Sequence, residues 1–148
     1  SGVFDAPGFT LMNTGNADMT VTGGTVKCGG IKTGYALMAA GSAAKLTVSG
    51  GDIEAIQSIG GAQVNISGGS VYCEGVYYAL YNEGGNTSIS GGYFYSPTGK
   101  NIYVASGTVK TTGGYFSDKS APLESGYKFQ DVSVTENGNQ YNYQVVSE

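Results

Sequence analysis

Hydrophobic and polar residues alternate along much of this chain, and the alternation restarts at a Gly pair. The segment MTVTGGTV at 19–26 returns as LTVSGGDI at 46–53, VNISGGSV at 64–71, TSISGGYF at 87–94 and VKTTGGYF at 109–116. The first Gly of each pair falls at 23, 50, 68, 91 and 113, so the spacings are 27, 18, 23 and 22 residues. The opening Ser1-Gly2-Val3-Phe4 reads as a partial further copy and suggests a cut at a repeat boundary. Val21, Val48, Ile66 and Ile89 share one phase, and beyond the glycines Val26, Ile53, Val71, Phe94 and Phe116 align. Two residues further on come Cys28, Ala55, Cys73 and Ser96. A period of two predicts strands with one buried face. The Gly-Gly step allows a bend that side chains would resist. A second strand is predicted between copies at 36–38, 55–57, 79–81 and 102–104, each followed by a turn containing Gly.

Repeats of this length, each strand, bend, strand and polar turn, predict an all-β fold. The expectation is a right-handed parallel β-helix, or β-solenoid, of about five to six coils over residues 1–117. The Leu and Asn signature of leucine-rich repeats is missing, and a β-sandwich is the alternative. Residues 118–148 differ: 127–134 alternate, Asn137-Gly138 is a strong hairpin turn, and 141–146 return. An open solenoid end exposes unpaired strand groups, so this tail is expected to be a C-terminal β-hairpin cap. The N-terminal side shows no comparable cap, which suggests a piece of a larger multidomain protein.

Composition narrows the chemistry. The 148 residues include 26 Gly and 12 Tyr but no His, no Trp and no Arg. Without His there is no His-based triad, proton shuttle or His metal ligand. Without Arg there is no guanidinium clamp. A net charge of −4 makes nucleic acid an unsuitable partner. Leu, Ile, Val and Phe total only 30 residues, a level at which disorder becomes plausible, but the low net charge and regular repeat argue for a fold. No apolar run reaches the roughly 18 residues of a membrane helix, so no direct membrane insertion is expected. No leader pattern is visible either, which suggests a mature segment. No cofactor or metal is called for.

Several positions invite closer reading. Cys28 and Cys73 share a phase two coils apart, near ~9.6 Å, beyond the roughly 7 Å disulfide limit, so both are expected as buried free thiols. One outward row reads Thr25, Asp52, Ser70, Tyr93, Tyr115 and the next Lys27, Glu54, Tyr72, Tyr95, Ser117. Exposed tyrosines beside Asp52 and Glu54 suit sugars, whose ring faces stack while polar groups take hydroxyls; the structural alternative is an aromatic ladder. The shortest coil, 18 residues, lies between longer loops, predicting a notch above Glu54 walled by Lys32, Gln57, Glu74 and Tyr77. If the chain were an enzyme, Asp52 and Glu54 would be its catalytic pair. Residues i and i+2 of a strand stand roughly 6.6 Å apart, within the range of inverting glycosidases. Nothing apolar surrounds them, however, and Lys27 is expected to form an exposed ion pair with Glu54. The Thr-x-Thr rows of ice-binding solenoids decay here into Asn, Ser and Lys. Sequons at Asn65 and Asn86 matter only in a eukaryotic secretory host.

The Ile-Ser-Gly-Gly-x-Phe units, followed by Gly114-Tyr-Phe-Ser-Asp, Leu123-Glu-Ser-Gly-Tyr and a Tyr-rich hairpin, resemble tandem β-helix repeats of large secreted or cell-surface proteins of gut Firmicutes. More distantly they resemble the pectate-lyase-like right-handed β-helix superfamily. The resemblance covers nearly the whole chain and is one of architecture. It implies a bacterial, secreted or cell-surface module for adhesion, display or spacing. Cell-surface or dietary glycans would be its partners, bound through Tyr72, Tyr93, Tyr95 and Tyr115 with Asp52, Glu54, Tyr77 and Lys32. The competing reading is a fragment of a glycoside hydrolase or lyase using Asp52 and Glu54. Lyases of that superfamily commonly use an Asp cluster and Arg, whereas this chain has two close acids and no Arg.

Overall fold

The computed structural model describes residues 2–5, 11–29, 34–74 and 77–148. These form strands and no helix. In order they are β1 (Val3–Asp5), β2 (Leu11–Asn13), β3 (Asp18–Val21), β4 (Thr25–Lys27), β5 (Leu37–Ala40), β6 (Lys45–Val48), β7 (Asp52–Glu54) and β8 (Ile56–Ile59). There follow β9 (Gln63–Ile66), β10 (Ser70–Tyr72), β11 (Leu80–Ile89), β12 (Tyr93–Tyr95), β13 (Ile102–Thr111), β14 (Tyr115–Phe116), β15 (Tyr127–Glu136) and β16 (Asn139–Ser147).

Three parallel stacks run through the molecule, giving a β-solenoid of about five turns. The first is β1-β4-β7-β10-β12-β14. The second is β2-β5-β8, continued by the first halves of β11 and β13. The third is β3-β6-β9, continued by their second halves. The register is the one the repeat predicts. Val26, Ile53, Val71, Phe94 and Phe116 stand one above another, as do Val21, Val48, Ile66 and Ile89. Phe4 pairs with Val26, so the opening residues do form a further copy. The strand Leu11–Asn13 carries no Gly pair and was not expected; Leu11 continues the Leu37–Ile56–Leu80–Ile102 row.

The Gly pair has two separate causes. The second Gly of each copy has a positive φ, 95° at Gly51 and 105° at Gly114, which L side chains rarely adopt. The first Gly is held by contact: a Cβ at Gly68 would stand 2.5 Å from the Ser49 carbonyl oxygen of the coil before. At Gly50, Gly91 and Gly113 it would collide with the carbonyls of Thr22, Ser67 and Ser90. Asn residues at the second turn do related work. Asn13 Nδ2 donates to the carbonyls of Ala17 (2.7 Å) and Lys45 (2.8 Å). Asn82 Nδ2 donates to those of Gly85 and Ser106, both at 2.9 Å. Each amide therefore ties its own turn to the next coil, and each is buried.

All three edges of the last coil are covered. β16 pairs antiparallel with β14 and with β15, making the expected hairpin. The Phe129 ring meets Phe116 edge-on at 6.1 Å, ending the core ladder. Leu123 bridges Thr111 on the third stack. On the second, the N–H of Asn101 donates to Asp118 Oδ2 and that of Ile102 to Ser120 Oγ, both at 3.0 Å. At the opposite end Val3, Phe4 and Met12 are exposed.

Gly91→Ala is expected to cost about 3 kcal/mol or more, because the collision is with backbone. Gly23→Ala, whose Cβ would meet nothing within 4 Å among the described residues, should change stability by no more than about 0.5 kcal/mol. Urea denaturation of the two variants checks this; equal losses would refute the close-approach account.

Candidate functional site

The outward rows of the first stack are aligned as the repeat predicts. Thr25, Asp52, Ser70, Tyr93 and Tyr115 form one, and Glu54, Tyr72 and Tyr95 form the next. Tyr93 stacks on Tyr115 with centroids 5.0 Å apart, so part of this face is an aromatic ladder. The tyrosine face is half-buried rather than open, because the terminal hairpin folds back across part of it. Tyr143 and Gln144 pair with β14, and β16 then crosses the next coils. Tyr141 lies edge-on to Tyr93 (5.2 Å) and Tyr95 (6.2 Å) and is only 1% exposed. At the tip, Asn137 (φ 50°) and Gly138 (φ 78°) make a turn with both residues left-handed. From there Asn137 Nδ2 donates to Asp52 Oδ1 at 2.9 Å and reaches Ser70 Oγ at 3.5 Å.

The hairpin turns the face into a groove of about 730 Å³ between its tip and the second outward row. Tyr72, Tyr95 and Pro97 supply apolar surface, Asn137 and Asn139 amides, and Thr25 and Ser70 hydroxyls. Asp52, Glu74 and Lys27 supply charge. Beyond Asn137 lies a shallower depression of about 510 Å³, with Tyr93, Asp52 and Glu136 along it. Among the described residues, no three Cys, Asp or Glu side chains gather to hold a metal ion.

Glu54 differs most from expectation. It was expected outside, in an exposed ion pair with Lys27, but it is 4% exposed. Its Oε2 accepts the N–H of Cys28 at 3.0 Å. The reason is local. β4 ends at Lys27, so the Cys28 N–H lies past the strand and needs an acceptor. Ala55 then turns the chain with φ 65°, a left-handed conformation uncommon outside Gly. The carboxylate thus braces two coils from beneath. Asp52 lines the groove and is engaged by Asn137, so the two acids do not face one open cleft together.

Charge and burial act on the neighbours. Burial first, then Glu54, pushes the Cys28 thiol from 9.0 up to about 12. Burial, then the Glu54, Glu74 and Asp52 carboxylates, raises the Tyr72 phenol. Burial lifts Tyr141 from 10.0 to about 12, with Glu136 and Tyr93 adding to it against an opposing hydrogen bond with Asn139. Cys28 and Cys73 are buried and not joined in a disulfide, as their coil spacing predicts.

The other expected wall residues scatter. Glu74 lines the groove, whereas Tyr77 is not among the residues lining it and is 38% exposed. Gln57 stands on the second stack between Met38 and Tyr81, and Lys32 lies outside the described residues. A second aromatic group went unread in the sequence. Tyr81 and Tyr103 stack at 5.6 Å, Tyr78 and Tyr103 at 4.4 Å, and Tyr35 leans on Tyr81 at 5.8 Å. Lys100 Nζ lies 5.8 Å from the Tyr103 ring. Tyr81 and Tyr103 occupy equivalent repeat positions, which was the available signal; Tyr35 and Tyr78 arrive from preceding loops. These rings stack on one another, so they stabilise the coil corner.

The raised pKa values fix a pH dependence. Native Cys28 and Tyr141 keep protons that the unfolded chain releases above about pH 9, so the native state binds more protons there and stability falls as pH rises. The urea midpoint should therefore decline between pH 9 and about pH 12. Iodoacetamide at about pH 8 should label neither thiol until urea is added; native labelling, or a midpoint that does not fall, would contradict their burial.

No protein-family model matches this chain, and no curated protein and no solved structure matches it either.

Proposed function

We propose that the chain is a non-catalytic β-helix module of a secreted or cell-surface bacterial protein, serving adhesion, display or spacing, and that it binds glycans in the hairpin-roofed groove. The observation that carries this reading is the pairing of Tyr72 and Tyr95 with amides, hydroxyls and carboxylates in one groove. Saccharides offer apolar ring faces and many hydroxyls, and such a mixture meets both. The groove is open along the surface, which suits a chain better than an enclosed small molecule. The likeness of the Gly-Gly units to repeats of gut Firmicutes surface proteins supports the location and the role of a tandem module.

A glycan array followed by titration of the best ligand tests the binding. Tyr95→Ala should weaken it about tenfold, the loss of one stacking contact. Tyr103→Ala, on the second stack, should leave it within about twofold. Array-wide absence of binding would leave only the spacing role. Turnover of a polysaccharide that Glu54→Ala abolishes would replace this reading with the hydrolase or lyase alternative using Asp52 and Glu54.

A further inference from the structure

The charges around the groove point to the class of saccharide. Among its described lining residues the one cation is Lys27, against the carboxylates of Asp52 and Glu74. A third carboxylate stands behind the groove. Glu54 neighbours Tyr72 in register, and at 4% exposure it is shielded from solvent. Charges withdrawn from water are screened less than surface ones. Tyr72, whose phenol is raised by burial first and then by these three carboxylates, stands between them in the groove wall. Tyr72 and Tyr95 line the walls, and aromatic rings attract cations at their faces. The groove already holds one donor on its principal acceptor: the Asn137 amide lies 2.9 Å from Asp52 Oδ1. A ligand donor placed there gains an ionised acceptor, whereas a ligand carboxylate meets like charge.

We infer that the groove selects glycans carrying protonated amino groups, such as runs of unacetylated amino-hexose, over neutral acetylated glycans and over glycans of uronic acids. The inference rests on the glycan-binding reading above. In it Tyr72 and Tyr95 hold the sugar rings, Asp52 and Glu74 take the ammonium groups from the walls, and Glu54 supplies a fixed field from beneath. Specificity arises as much from repulsion of acidic chains as from attraction of basic ones.

The test is calorimetric titration of the full chain with three tetrasaccharides at low salt and about pH 5.5, acidic enough to keep the sugar amine protonated. The probes are β-1,4-linked glucosamine, its N-acetylated counterpart and galacturonic acid. The glucosamine tetramer should bind about fivefold to tenfold more tightly than the acetylated one, a gap of the size two partly exposed ion pairs supply. The galacturonate tetramer should bind more weakly than either. Asp52→Asn combined with Glu74→Gln should erase the gap. Asp18→Asn combined with Glu124→Gln makes the same change in net charge away from the groove and should preserve it. Equal or tighter binding of the acetylated tetramer would overturn the inference and leave the glycan reading standing. A gap lost equally in both double variants would overturn it as mere attraction to an acidic protein. Failure of all three tetramers to bind would overturn the inference, and the glycan reading falls with it only where the array also shows no binding.

Discussion

Each coil of this protein lies so close on the one before it that the first Gly of the pairs at 50, 68, 91 and 113 has a carbonyl oxygen where its side chain would be. At Gly68 that oxygen, from Ser49, is 2.5 Å from the Cβ position. The contact recurs from Gly50 to Gly113, whereas Gly23 has nothing within 4 Å among the described residues. The rest of the architecture depends on this approach. It fixes where each coil bends, so it fixes the register, and the register sets like residues above like. The core can then be built from few apolar residues per coil, because each is covered by its equivalents above and below. That accounts for a folded chain with only 30 Leu, Ile, Val and Phe residues.

Much of this was legible in the sequence, for a physical reason. Strands of period two, restarted by Gly pairs, leave one inward phase and one register, so the rows from Val26 to Phe116 and from Val21 to Ile89 could be written down from spacing alone. The absence of a disulfide between Cys28 and Cys73 followed from the same arithmetic. The strand at Leu11–Asn13 escaped because it has neither a Gly pair nor enough length to show alternation. The amide bridges of Asn13 and Asn82 escaped because two positions separated by several coils do not announce a pattern.

The site was less legible than the fold. Alternation says which side of a strand a residue leaves from, and nothing about what later covers that side. Glu54 leaves on the outer side and is nevertheless buried, because the chain turns at Ala55 and the Cys28 N–H claims its carboxylate. The tyrosine rows are outward and yet roofed, because the terminal hairpin crosses back and lodges Tyr141 against Tyr93 and Tyr95. The Asn-Gly turn marked the hairpin; where its tip would land was set by tertiary packing, and the contact between Asn137 and Asp52 is 85 residues long in sequence. The roof converts a flat ladder into a groove with polar and aromatic walls, and the proposed function follows from that conversion.

The central claim is that ligands enter between the hairpin tip and the row of Tyr72 and Tyr95. Hydrogen exchange measured with and without a saturating oligosaccharide tests it most directly. The account predicts slower exchange around Tyr72–Glu74, Tyr95 and the Asn137–Tyr141 tip, with no change around Tyr81 and Tyr103. Protection around Tyr81 and Tyr103 instead, or protection that leaves the hairpin tip unchanged, would contradict it.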